Sequence, residues 1–66
     1  MRVEISYPDP AAMAKGQTVM KALTIQADYV PDTGDLIDLG NGGAMQATDR
    51  RFVVVRGVLE ARLKLR

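Results

Sequence analysis

The chain has 66 residues, 47% of them hydrophobic and 26% charged, with a formal net charge of +1, which is the makeup of one small globular domain spanning 1–66 and not of a disordered chain. It contains no His, Cys or Trp, so Ser-His and Cys-His nucleophile pairs, disulfide frameworks and the usual zinc sites are excluded. No stretch approaches the roughly 18 consecutive apolar residues of a membrane span, and Met1-Arg2-Val3-Glu4-Ile5 lacks a signal-peptide layout, so a cytoplasmic protein with no membrane partner is expected.

Arg2 to Tyr7 alternates, with Val3, Ile5 and Tyr7 on one face and Arg2, Glu4 and Ser6 on the other, the period of a half-buried strand. Pro8-Asp9-Pro10 stops it. Asp9 then stands where a helix N-cap belongs, Pro10 takes the first helical position, and Ala11 to Lys15 follow before Gly16, which predicts a short helical turn near residues 10–15. The rival reading carries the helix on to Leu23, through Gly16, Thr18 and Val19.

From Thr18 to Tyr29 the odd positions Val19, Leu23, Ile25 and Ala27 share a face, and Lys21 interrupts them. This reads as a strand ended by Pro31 and turned by Asp32-Thr33-Gly34. Leu36-Ile37-Asp38-Leu39 is a short strand, and Gly40-Asn41-Gly42-Gly43 is a hairpin or loop tip. It lacks the Gly-Lys-Ser/Thr ending and the following helix of a phosphate loop. Met45 to Thr48 is either a brief strand or the side of a loop.

Between Arg51 and Arg66 the odd positions Val53, Val55, Gly57, Leu59, Ala61, Leu63 and Leu65 share a face. A single strand of that length is too long for so small a domain. It must bulge or bend sharply at Gly57, or reverse near Leu59-Glu60. Read this way, Met20, Ala22, Phe52, Val54 and Val58 lie opposite the main apolar set, where either a partner meets them or a closed barrel or the short helix covers them.

Charge is sorted along the chain. Residues 1–48 hold three basic and six acidic side chains, net −3, and residues 49–66 hold six basic and two acidic, net +4. Arg50, Arg51, Arg56, Arg62, Lys64 and Arg66 form a basic segment able to meet phosphate backbones, although Tyr7, Tyr29 and Phe52 are not spaced as a stacking platform. Asp28, Asp32, Asp35 and Asp38 do not follow a calcium-loop spacing. Asp32 and Asp35 are expected to bracket a turn, with Asp28 and Asp38 in solvent, and no metal, cofactor or catalytic residue is expected.

Val30-Pro31-Asp32-Thr33-Gly34-Asp35-Leu36-Ile37-Asp38-Leu39, followed by a Gly-rich turn and Phe52-Val53-Val54-Val55-Arg56, resembles the strand entry of small SH3-like β-barrels, a layout similar to that of short orphan proteins of bacteriophages and other mobile elements. The resemblance runs from Val30 to Leu65. It implies a strongly bent five-stranded antiparallel sheet used as a protein- or nucleic-acid-binding module, and in a phage protein the binding of a host protein.

The expected fold is therefore mostly β, a small five-stranded antiparallel sheet or SH3-like barrel with one short helical turn. A core from so few residues only roughly offsets the entropy of ordering them, which makes self-association an expectation, and Met1 leading straight into a strand suggests a complete small gene product. The expected function is a non-enzymatic protein–protein interaction module, homodimeric, with a candidate surface of Met20, Phe52, Val54, Arg56, Val58, Arg62, Lys64 and Arg66. The alternative is a small nucleic-acid-binding protein using the basic C-terminal strand.

Overall fold

A computed structural model describes residues 1–40 and 43–66. The elements in chain order are β1 (Arg2–Pro8), α1 (Pro10–Ala14), β2 (Met20–Gln26), β3 (Leu36–Asp38), β4 (Ala44–Val55) and β5 (Val58–Leu65). The strands form one five-stranded sheet in the order β2-β1-β5-β4-β3, strongly curled into a half-barrel. The mostly-β, strongly bent sheet with one short helix is thus as expected, with one difference in strand direction. β5 returns in parallel along the edge of β1 that β2 leaves open, pairing Val3 with Ala61 and Ile5 with Leu63.

The helix ends as its residues dictate. The Asp9 carboxylate accepts from the Ala11 N–H at 3.1 Å, Pro10 occupies the first helical position, and Gly16 turns the chain at φ 74°. At the far end the Gln17 N–H donates to the Ala12 carbonyl at 2.9 Å and the Gly16 N–H to that of Met13 at 3.0 Å, a Schellman cap that needs a left-handed residue at the glycine. The longer helix through Leu23 does not form. Met20 already belongs to β2, and the chain leaves the sheet after Gln26, earlier than the expected end at Tyr29.

The C-terminal half departs further from its sequence reading. Ala44 to Val55 is one strand, so Met45–Thr48 begins β4, and the bulge falls between Ala47 and Asp49, not at Gly57. The reversal uses Arg56 and Gly57, both with positive φ at 51° and 77°, as a two-residue hairpin loop joining Val55 to Val58. Such a turn requires left-handed backbone at both central residues, which Asn-Gly supplies and Arg strains. Arg56→Asn is expected to raise stability by about 0.5–1 kcal/mol, read as a higher urea midpoint at unchanged slope. Of the glycine-rich loop tip, Asn41 and Gly42 lie outside the described residues; its flanks, β3 and β4, pair antiparallel.

The core is one row of side chains on one face of the sheet: Val3 and Ile5 from β1, Ala61, Leu63 and Leu65 from β5, and Ala47 from β4. Tyr7, Ala27, Val30, Ile37, Leu39 and Met45 close over it. The 27–35 loop is fixed across this cover by backbone bonds, with the Gly34 N–H donating to the Ala47 carbonyl at 2.7 Å and the Ala47 N–H to that of Asp35 at 2.9 Å. The cover stops short of the hairpin that ends β4 and begins β5. That hairpin forms an arm in a molecule of 41 × 21 × 18 Å.

Candidate interaction surfaces

Register decides which face each candidate residue occupies, because side chains directly across a ladder share a face. Ala61 is fully buried and lies between Val3 and Phe52, while Leu59 pairs with Val54 and Leu63 with Arg50. Phe52 and Val54 therefore lie on the same face as the core, not opposite it as the odd-even count suggested. The two-residue turn causes the change, since pairing Val55 with Val58 sets odd positions of β5 against even positions of β4. Val53 and Val55 are the ones turned to the outer face.

The eight candidate residues thus separate. Phe52 and Val54 stand on the core side of the arm, where the cover is missing, and remain 48% and 67% exposed beside Leu59 at 48%. Arg56 sits in the turn. Val58, Arg62 and Lys64 lie along the outer side of β5, and Met20 lies on the outer side of β2, across from Pro8. Met20, Lys64 and Arg66 meet Met13 and Thr48 around an open groove of about 550 Å³ below α1. Sequence reasoning missed Leu59, counted among core residues, and Leu23 and Ile25, which are 39% and 38% exposed on β2. Only the position of the cover, a tertiary feature, distinguishes these from Leu63.

The outer face mixes its charges. Arg51 lies directly across from Arg62, a like-charge pair that costs stability, but Glu4 flanks Arg62 and Asp49 flanks Lys64 in register. Among the described residues the ion pairs are Arg2–Glu60 at 3.4 Å, Lys21–Asp9 at 3.6 Å and Arg50–Asp32. Arg50 also lies over Phe52, its guanidinium carbon 5.5 Å from the ring centroid, so one edge of the arm's apolar side carries a cation.

The acidic segment is taken up by its own turn. The Asp35 N–H donates to the Asp32 carbonyl at 3.0 Å, and the Asp35 carboxylate accepts from the Asp32 N–H at 2.8 Å and from the Tyr29 hydroxyl at 3.3 Å. Asp38 accepts from the Gly40 N–H at 2.7 Å. The negative charge of Asp35, and then the hydrogen bond to it, raise the Tyr29 phenol above its ordinary range. A raised folded-state value means that the stabilising contribution is complete below the unfolded pKa of about 10 and is lost as pH rises through the folded value. In a Tyr7→Phe background, Asp35→Asn is expected to bring tyrosinate formation back down toward the usual pH in a spectrophotometric titration. An unchanged curve would remove Asp35 as the cause.

No helix among the described residues is long and apolar enough to cross a membrane. Comparison of the chain with protein-family models, with curated proteins and with solved structures gave no match.

Proposed function

We propose that this chain is a non-enzymatic protein–protein interaction module that works as a homodimer. The observation that carries the binding part of the reading is the apolar side of the arm, where Phe52, Val54 and Leu59 continue the core face beyond its cover. Area supports it. A compact monomer of this mass exposes about 4,100 Å², whereas this chain exposes 4663 Å². That excess, about 500 Å², is comparable with one side of a modest protein interface. The radius of gyration, 12.5 Å, likewise exceeds the roughly 11 Å of a compact domain of this length. With Arg50, Arg51 and Arg56 along it, the arm suits an apolar protein surface rimmed by carboxylates. The carboxylates of Asp35 and Asp38 are engaged in turn bonding and that of Asp32 is paired with Arg50, which favours a binding role over acid–base chemistry.

The competing reading, nucleic-acid binding, draws on the Arg51–Arg62 juxtaposition and on Lys64 and Arg66. Light scattering across a dilution series, at low and moderate salt and with a short oligonucleotide added, separates the two. The expected result is a dimer indifferent to salt and oligonucleotide, and Arg62→Glu with Lys64→Glu should leave its mass unchanged. A monomer that binds the oligonucleotide and releases it as salt rises would overturn the proposal, since phosphate contacts weaken steeply with salt.

A further inference from the structure

Resting on the homodimer reading, we infer that β2 is the seam, and that two copies join by antiparallel pairing of Met20–Gln26 about a two-fold axis at Leu23. The free backbone groups of β2 follow from its bonds to β1. The Met1 amino group donates to the Ala27 carbonyl and the Ala27 N–H to the Met1 carbonyl, both at 2.9 Å, and the Asp9 N–H donates to the Val19 carbonyl at 2.7 Å. In an antiparallel ladder bonded and non-bonded pairs alternate, so with this register Lys21, Leu23 and Ile25 spend their backbone groups on β1. Met20, Ala22, Thr24 and Gln26 direct theirs to the open edge.

That edge is unguarded. All seven residues of β2 are exposed, none is Pro or Gly, and the single charge, Lys21, reaches back to Asp9 of its own chain at 3.6 Å. Natural edges are blunted by charges, prolines, bulges or shortness. The other open edges of this sheet use those devices: β4 has its bulge beside Asp49, Arg50 and Arg51, and β3 is three residues long.

The strand is complementary to itself. Centring the pair on Leu23 sets Met20 against Gln26 of the second copy and Ala22 against Thr24, so every edge-directed group meets another, giving about eight backbone hydrogen bonds. Leu23 meets its own copy on the core side, and Ile25 meets Lys21. The two Lys21 side chains stay about 14 Å apart along the strands, beyond the screening length of about 8 Å at physiological salt. No like charges oppose one another, and the exposed Leu23 and Ile25 of both copies join one apolar strip.

Thr24→Pro tests the seam, because it removes an N–H aimed at the open edge while the neighbouring bonds of Leu23 and Ile25 to β1 remain; proline is tolerated on an edge strand in that position. The expected product is a folded monomer, with the dimer dissociation constant raised about 100-fold or more through the loss of both symmetry-related bonds. Should the proline disturb β2, Ala22→Lys with Thr24→Lys places like charges across the seam on the outer face, and mixing that chain with one carrying Ala22→Glu and Thr24→Glu should restore a dimer. If the wild type is a dimer and both the proline and lysine variants remain so, the seam is overturned and the homodimer reading stands. If the wild type is monomeric at every concentration, both fall.

Discussion

Replacing Leu63 with alanine is expected to leave the chain largely unfolded at room temperature, the largest single effect on stability. Leu63 is 2% exposed at the centre of the core, on the strand that joins the two halves of the sheet, with Ile5 on one side and Arg50 on the other. Leu→Ala at such a site costs about 2–5 kcal/mol, depending on how far the surroundings collapse. The whole domain has about 3–10 kcal/mol available at typical values per residue. Collapse is limited here because β1, β5 and β4 hold one another by backbone ladders on both sides of the cavity. Urea unfolding followed by circular dichroism should show a midpoint near zero denaturant, with partial recovery in Leu63→Val. A variant within 1 kcal/mol of wild type would mean that the buried row is not the principal source of stability.

What could be read from the sequence was local. The alternation of Val3, Ile5 and Tyr7 identifies β1, and the order Asp9, Pro10, Gly16 specifies a capped helix because each residue type answers one steric or hydrogen-bonding need at its position. Asp32 and Asp35 bracket their turn for the same reason. What could not be read was non-local. Parallel pairing of β1 with β5 depends on residues some 58 positions apart, such as Val3 and Ala61, and no periodicity records it. The bend expected at Gly57 is there, but that it is a full reversal was concealed by an arginine in a left-handed position that usually takes Asn, Asp or Gly. That one unread turn reversed the odd-even assignment of β4. It put Phe52 and Val54 on the wrong face, so the candidate surface combined residues that belong to opposite sides of the sheet.

Gly57→Val is expected to cost about 2 kcal/mol and to melt the arm before the body. Beyond Gly57 and its two chain neighbours, no atom lies within 4 Å of where a Cβ would stand, so crowding by the rest of the fold contributes nothing and the cost is torsional. A β-branched side chain resists the φ of 77° that the two-residue turn demands, and Arg56 beside it is already strained. The pairs nearest the turn, Val55 with Val58 and Val54 with Leu59, have no cover over their core side and little else to hold them. Ala61 and Leu63 keep their pairing with Val3 and Ile5 on β1. Hydrogen exchange should therefore show the ladder-bonded amides of Val53, Val55 and Val58 losing protection while Ile5, Leu63 and Leu65 keep most of theirs. Because β2 lies at the far side of the sheet, the proposed β2 seam should be unaffected, but the surface of Phe52, Val54 and Leu59 would no longer be presented as one face. Uniform loss of protection along the chain would show instead that arm and body unfold as one unit, and that the turn supports the core and not only the arm.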